Sequence, residues 1–102
     1  MPDNIVLETE VLDKIMAILH EIVPESVIIY LFGSRATGKA RPYSDVDIAL
    51  NHDGHPISAE IMEKIRVGFE FSDLPYKVDI VDLSAISDSF HTSIQSELVK
   101  LS

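Results

Sequence analysis

Apolar residues along the chain form sets at helical spacing and continuous runs, and these two patterns predict where helices and strands lie. Five apolar residues between positions 11 and 22 follow helical spacing and Pro24 comes after them, which predicts an amphipathic helix over residues 9–23. Residues 27–32 form a continuous run of β-branched, aromatic and other apolar side chains, which is typical of a buried strand. The chain is therefore expected to begin with a helix followed by a strand.

The rest of the chain continues this alternation. Residues 34–38 have room only for a short helical turn, and residues 45–50 predict a second strand. Ser58 is the expected N-cap of a helix that runs to about residue 71, and residues 77–83 predict a third strand. Helical spacing predicts a final amphipathic helix built on Phe90, Ile94, Leu98 and Leu101. This order predicts an α/β (α+β) fold in which helices cover a small sheet.

Length and composition bound the class of protein. The 102 residues, 46% of them apolar and 25% charged, indicate a single domain over residues 1–102. No apolar run approaches the roughly 20 residues of a membrane-spanning helix, and no signal peptide is visible at the N-terminus. The absence of cysteine excludes disulfides and thiolate zinc sites. A cytoplasmic protein without membrane contact is expected.

The charge of the chain also restricts its partners. A net charge of −9 is unfavourable for nonspecific nucleic-acid binding, which needs many basic side chains on the phosphates, so no direct nucleic-acid binding is expected. However, Arg35, Lys39 and Arg41 lie within seven positions of one another. Such a local cationic patch suits a small phosphorylated ligand. The alternative is a solvated loop that happens to be basic, and charge alone does not decide between the two.

The segment after the first strand has the glycine spacing of a phosphate-binding P-loop. Gly33 and the pair Gly38-Lys39 match G-x-x-x-x-G-K, but Ala40 stands where the motif needs the hydroxyl of Ser or Thr to reach Mg²⁺. Gly33 still permits a tight turn, and Ser34 offers a hydroxyl and a backbone N–H at the start of a helical turn. These two residues predict a small phosphate site whose metal is held elsewhere.

Two carboxylates on the second predicted strand are candidates for holding that metal. Asp45 and Asp47 are two residues apart, so their side chains point to the same side of a strand, with the Cα atoms about 6.6 Å apart. Neighbouring carboxylates repel each other, and the pKa of one rises, unless a cation lies between them. An EF-hand loop is excluded because Leu50 and Pro56 stand where that loop needs Gly and Glu.

A third carboxylate, Asp79, lies within the apolar run of the third predicted strand, where burial carries a desolvation cost. If that strand neighbours the second, Asp79 joins Asp45 and Asp47; otherwise it shares the solvated face of an edge strand with Lys77. Asp82 has the opposite parity and is expected to reach solvent or cap the next segment. A ligand set of oxygens alone favours Mg²⁺ or Mn²⁺.

Taken together, these residues resemble the nucleotidyltransferase superfamily of DNA polymerase beta, and within it the minimal nucleotidyltransferases (MNT), the antitoxins of HEPN/MNT toxin–antitoxin pairs. The resemblance is carried by Gly33-Ser34, by Ser44-Asp45-Val46-Asp47 on a strand, and by Asp79 on a later strand. The matching segments read LFGSRATGKARPYSDVDIAL and LPYKVDIVDL. Each short motif alone is weak, whereas the ordered set with its spacing is specific. The strong part covers residues 27–83, and the flanking helices also fit.

The resemblance implies a small mixed sheet and a set of catalytic roles. Asp45 and Asp47 would bind two Mg²⁺ ions, and Asp79 would join the metal that activates the acceptor hydroxyl and help to remove its proton. Gly33 and Ser34 would contact the phosphates of the nucleotide. The implied reaction is transfer of AMP from ATP to a tyrosine of an all-helical HEPN-type toxin, which silences the toxin.

Two alternatives stay open at this level. The protein could be a non-catalytic antitoxin that neutralises its partner by binding, with the carboxylates idle or used only to bind nucleotide. Transfer to a small molecule such as an aminoglycoside is less favoured because no acceptor domain follows. Since the predicted core uses essentially the whole chain, a second protein must supply the acceptor or a second copy must complete the cleft. A homo- or hetero-oligomer is therefore expected.

Overall fold

The structure, a computed structural model, describes residues 5–102 as a four-stranded sheet with helices on both faces. The helices are α1 (Thr9–Ile22), α2 (Ser34–Thr37), α3 (Ala59–Glu70) and α4 (Asp88–Ile94), and a 3₁₀ helix (Gln95–Glu97) follows α4. The strands are β1 (Ile28–Phe32), β2 (Val46–Asn51), β3 (Val78–Asp82) and β4 (Val99–Lys100). The predicted absence of a signal peptide concerns residues 1–4, which lie outside the described residues.

The strands are arranged in the order β3-β2-β1-β4. Strand β1 is antiparallel to both β2 and β4, whereas β2 and β3 are parallel. A parallel pair needs a long crossover connection, and α3 provides it between β2 and β3. The small mixed sheet implied by the sequence resemblance is therefore confirmed.

The main core lies between the sheet and the pair α1 and α3. Apolar side chains that recur at helical spacing on α1 meet the alternate residues of β1 and β2, and each such side chain stabilises the fold by roughly 1.5–3 kcal/mol when fully buried. The fully buried members include Ile15, Leu19, Ile29, Leu31, Val46, Ile48, Leu50 and Ile65. A smaller cluster of Phe32, Ala49 and Ile94 occupies the opposite face, which α4 covers.

The start of α3 agrees with the sequence prediction in detail. The Ser58 hydroxyl accepts a hydrogen bond from the N–H of Ile61 at 3.2 Å, so Ser58 is the N-cap. Ile57, the residue before the cap, is buried in the main core, and Met62 packs against the same core. Ile57 and Met62 occupy the two positions of a hydrophobic staple, which sets the direction in which the chain enters the helix.

The predicted final helix is wrong beyond Ile94. After the 3₁₀ turn the chain becomes β4, in which Val99 pairs with Leu31 of β1, and the N–H of Leu101 donates to the carbonyl of Ile29 at 2.8 Å. The apolar spacing that suggested a helix is satisfied in another way, since Leu98 packs in the smaller cluster and Leu101 against the main core. The free edge of β1 supplies backbone partners that an isolated helical pattern cannot reveal.

Within residues 5–102, no helix combines the length and the apolar character that crossing a bilayer requires.

Candidate active site

The parallel pairing of β2 and β3 brings Asp47 directly beside Asp79. Neighbouring strands lie about 4.8 Å apart, so these two carboxylates share one small region of the sheet surface. Asp47 has the same parity as Ala49, whose side chain packs in the smaller cluster. The acidic side chains therefore point to the face that carries α4, away from the main core.

Asp45 immediately precedes β2 instead of beginning it, as the predicted strand over residues 45–50 had it, and its side chain is exposed. The negative charge of Asp45 nevertheless helps to raise the pKa of Asp47. The third predicted strand does neighbour the second, which places Asp79 beside Asp47. It is also an edge strand of the sheet, and Lys77 and Asp79 share its exposed face, as the alternative had it.

The glycine-serine turn lies against the Asp47 carboxylate. Gly33 has φ 79° and ψ −159°, a left-handed conformation that residues with a side chain rarely adopt. A Cβ atom at this position would overlap Oδ2 of Asp47 and lie 3.1 Å from its Cγ. The pairing of Phe32 with Asp47 explains the contact, because Gly33 follows Phe32 directly. Only glycine fits here, for backbone and steric reasons together.

The electrostatics of the cluster are unfavourable for an ionised Asp47. Burial raises the pKa of Asp47 from its ordinary value of 3.8 to about 6, and the charges of Asp79, Asp45 and Glu97 contribute in the same direction. Lys77 lies 3.6 Å from Asp79 through Nζ and Oδ1, but both side chains are well exposed, so the attraction is weak. The site carries negative charge that a bound cation would neutralise.

The carboxylates of this site fit Mg²⁺ as part of its ligand shell, which water and substrate phosphates would complete. Among residues 5–102, no three His, Cys, Asp or Glu side chains are arranged closely enough to enclose a metal ion. Mg²⁺ does not need such a cage, because it usually takes one or two carboxylates and completes its shell with water and substrate phosphates. The adjacent pair Asp47 and Asp79, with Asp45 nearby, supplies hard oxygen donors of that kind.

Ser34 is the first residue of α2. It directly follows Gly33, which lies against the Asp47 carboxylate. The carbonyl of Gly33 accepts the N–H groups of Ala36 at 3.1 Å and Thr37 at 3.2 Å. The N–H of Ser34 belongs to the first helical turn, where backbone donors have no acceptor within the helix. The Ser34 N–H and hydroxyl are therefore the polar groups of this turn that a ligand could engage.

The structure contradicts the cationic patch for one of its members. Arg35 is only 2% exposed, and its guanidinium donates to the carbonyl of Ser44 at 2.9 and 3.0 Å and to the carbonyl of Val6 at 2.8 Å. It also stacks on the Tyr76 ring, 3.9 Å from the centroid. Arg35 thus fastens the loop before β2 to the N-terminal segment. Lys39 is exposed and does not share this role.

Asp82 caps the segment after β3, as predicted, but does not reach solvent. It is buried on the face opposite the acidic cluster, where one carboxylate oxygen accepts the N–H of Ile57 at 2.8 Å. The other oxygen accepts the N–H of Ser84 at 2.9 Å and its hydroxyl at 2.8 Å. All these hydrogen bonds stabilise the fold.

Sequence reasoning missed Glu97 entirely. This residue ends the 3₁₀ helix, and its Oε1 accepts the N–H of Gly33 at 3.0 Å across a separation of 64 residues. Its charge also contributes to the raised pKa of Asp47. No local pattern distinguishes Glu97 from the other acidic residues of the chain, and the segment was expected to be part of a helix. Only the pairing of β4 with β1 brings it to the site.

A groove lies beside this site and not within it. It encloses about 600 Å³ between α3 and the edge strand β3, and its apolar lining includes Met62, Phe69, Val78 and Ile80. Asp79 also borders the groove, but strand alternation points its side chain away from the face on which Val78 and Ile80 lie. The acidic cluster is an open surface site.

Comparisons with known proteins agree with this arrangement. The family model for the polymerase beta nucleotidyltransferases matches residues 13–101. A probable protein adenylyltransferase MntA of Haemophilus influenzae is 33% identical over 93 residues, which are 91% of this chain and 80% of the relative.

Solved structures give the same relationship. A toxin–antitoxin crystal structure with AMP-PNP superposes with a TM-score of 0.65 at 26% identity, over 88% of this chain and 71% of that one. A mutant MntA-HpeT toxin–antitoxin structure superposes with a TM-score of 0.69 at 24% identity, over 88% and 70%, and supports the fold alone. The family match runs from α1 past β4 and includes both acid-bearing strands. The chain therefore belongs to the polymerase beta nucleotidyltransferase family and is a nucleotidyltransferase.

Proposed function

We propose that this nucleotidyltransferase transfers AMP from ATP to a tyrosine hydroxyl of a HEPN-type toxin partner and acts as its antitoxin. The proposal is supported by the relative that is named a probable protein adenylyltransferase and by the similar toxin–antitoxin structure with AMP-PNP. The observation that carries it is the placement of Asp47 beside Asp79 against the Gly33 turn. A group of carboxylates at a glycine-serine turn suits a nucleotide that arrives with Mg²⁺.

Each residue has a distinct part in the proposed reaction. Asp45, Asp47 and Asp79 would hold two Mg²⁺ ions, which would supply positive charge to the triphosphate and lower the pKa of the acceptor hydroxyl. Gly33 leaves room for the phosphates because it has no side chain, and Ser34 donates its N–H and hydroxyl to them. Since Glu97 already engages the Gly33 N–H, the hydrogen bonds to phosphate come from Ser34.

The proposed transfer forms one bond, breaks one bond and moves one proton. The acceptor oxygen forms a bond to the α-phosphorus, and the bond from that phosphorus to the pyrophosphate oxygen breaks. The hydroxyl proton passes to Asp79, the carboxylate proposed as the general base. Because two strands fix Asp47 and Asp79 in register, the backbone positions of both residues are set before the nucleotide binds.

The test uses ATP labelled at the α-phosphate, Mg²⁺ and the protein encoded by the adjacent gene. Label is expected on a tyrosine of that neighbour, and Asp45→Asn or Asp47→Asn is expected to reduce labelling by about 100-fold or more, because each removes charge that stabilises the bound metal. The matched control is Asp13→Asn, an exposed carboxylate on α1, which packs on the other face of the sheet. It should label the partner normally.

The outcomes separate the proposal from its alternatives. Neutralisation of the toxin that persists in Asp45→Asn and Asp47→Asn without any label would mean that binding alone inactivates the partner. Label that appears on a small molecule and not on the neighbour would mean that the acceptor is a small molecule and not a protein. Labelling that is unchanged in Asp47→Asn would contradict the assignment of the site itself.

A further inference from the structure

Glu97 makes the longest-range polar contact of the candidate site. Its Oε1 accepts the Gly33 N–H at 3.0 Å, and the two residues are 64 positions apart. The acceptor is a carboxylate, and hydrogen bonds to ionised acceptors are roughly twice as strong as those between neutral groups. The C-terminal segment is thus tied directly to the turn that lies against Asp47.

The position of Glu97 is well defined because the chain is anchored on both sides of it. Ile94, three residues earlier, is buried in the smaller cluster with Phe32. Val99, two residues later, pairs with Leu31 in the sheet. Glu97 therefore extends from a short 3₁₀ turn between two fixed points, and it reaches Gly33 without a flexible arm.

The Gly33 turn has reason to need such a tie. Its φ of 79° favours glycine, and a Cβ at this position would meet the Asp47 carboxylate, so the turn lies close against that side chain. Glycine loses more conformational freedom on folding than other residues. A hydrogen bond that engages the Gly33 N–H therefore limits the movement of this turn.

We propose that Glu97 is a positioning residue for nucleotide binding: its hydrogen bond to the Gly33 N–H holds the glycine-serine turn in place, so that Ser34 meets the phosphates. The inference rests on the proposed function of this turn as the phosphate site. It assigns to the C-terminal segment, which lies outside the glycine-serine and aspartate motifs, a direct part in the affinity for the nucleotide.

Three variants separate the hydrogen bond from the charge. Glu97→Gln keeps a carbonyl oxygen at the same reach and removes the charge, whereas Glu97→Asp keeps the charge and is one methylene too short. Glu97→Ala removes both. Ser96→Ala, at the exposed neighbouring position, is the matched control.

The readouts are the Gly33 amide signal in a ¹H–¹⁵N spectrum, the Kd for AMP-PNP with Mg²⁺, and KM and kcat for labelling the partner. Glu97→Asp and Glu97→Ala are expected to shift the Gly33 amide signal and to raise both Kd and KM by about tenfold, with kcat nearly unchanged. Glu97→Gln should keep the amide signal and stay within about threefold of the original protein, since it loses only charge assistance. Ser96→Ala should match the original protein.

Several results would overturn the assignment. Normal affinity in Glu97→Ala would show that the contact has no role, and loss in Glu97→Gln with retention in Glu97→Asp would show that the charge is what matters. Tighter nucleotide binding in any variant would mean that Glu97 competes with the phosphates. If Glu97→Ala does not fold, the comparison of Gln with Asp decides the matter by itself.

Failure of this inference is distinguishable from failure of the proposed function. A protein that transfers no label to any partner would refute the proposed function, while the nucleotide Kd and the Gly33 amide signal would still decide the role of Glu97.

Discussion

Replacing Asp47 with Asn is expected to stabilise the free protein while it abolishes nucleotidyl transfer. The pKa of Asp47 is raised from 3.8 to about 6 by burial and by neighbouring carboxylates, so its ionised form is disfavoured in the folded state. A rise of this size corresponds to about 3 kcal/mol by linkage. Because the side chain is only half-buried, solvent screening reduces the expected effect to about 1–1.5 kcal/mol at pH 8.

The sign follows from the direction of the shift. A carboxyl group whose pKa is higher in the folded state contributes stability while it is protonated, and this contribution is lost as the pH rises through the folded pKa of about 6. Asparagine cannot ionise, so Asp47→Asn does not undergo that loss. The advantage of the variant should be full above pH 7 and fall to about half by pH 5.

The assay is urea unfolding followed by far-ultraviolet circular dichroism, in EDTA, at several pH values between 5 and 8. Asp13→Asn is the control and should stay within about 0.5 kcal/mol of the original protein, as exposed substitutions usually do. Adding Mg²⁺ in tenfold excess over its Kd should raise the stability of the original protein by about 1.4 kcal/mol and leave Asp47→Asn unchanged. An Asn variant less stable than the original at pH 8 in EDTA would refute the electrostatic reasoning.

Three further substitutions test the scaffold around the site. Gly33→Ala is expected to cost about 2 kcal/mol or more in unfolding free energy and to weaken nucleotide binding, because the backbone is left-handed and the new methyl group meets Asp47; an Ala variant as stable as the original in urea would contradict this. Asp82→Ala should cost about 3 kcal/mol, measured as a drop in thermal midpoint, because buried donors lose their acceptor; the remaining folded protein should bind AMP-PNP normally. Arg35→Lys should cost about 2 kcal/mol, because lysine cannot reproduce the guanidinium fork, yet leave AMP-PNP affinity within about threefold; a tenfold loss of affinity in a folded variant would restore a phosphate role for Arg35.

Most of the secondary structure was predictable because its signals are local. The helix predicted over residues 9–23 is observed as Thr9–Ile22, and the strand predicted over residues 45–50 as Val46–Asn51. The last helix was mispredicted because apolar spacing does not say whether a backbone will pair with itself or with the edge of β1. Competition between a local pattern and a distant strand edge can be resolved only when both are placed in space.

The residues of the candidate site were likewise predictable where the signal is local, and not where it depends on distant contacts. The spacing of Asp45 and Asp47 and the glycine-serine turn predicted a phosphate and metal site, and those residue roles stay a prediction, whereas the family assignment shows a nucleotidyltransferase. Arg35 fits neither alternative that the local charge left open, because its guanidinium is buried on backbone carbonyls and is part of neither a phosphate patch nor a solvated loop. Glu97 could not be found, because its significance comes only from the Gly33 N–H that it engages.

Local sequence patterns predicted the order of the elements as far as α4, the residue types of the site and the requirement for glycine at a tight turn, because these depend on neighbours within a few positions. Contacts between distant segments place Asp79 beside Asp47, turn Arg35 inward and bring Glu97 to the Gly33 turn. Those three outcomes depend on strand register and on backbone groups far away in the sequence, and the pattern of a single segment carries no information about them.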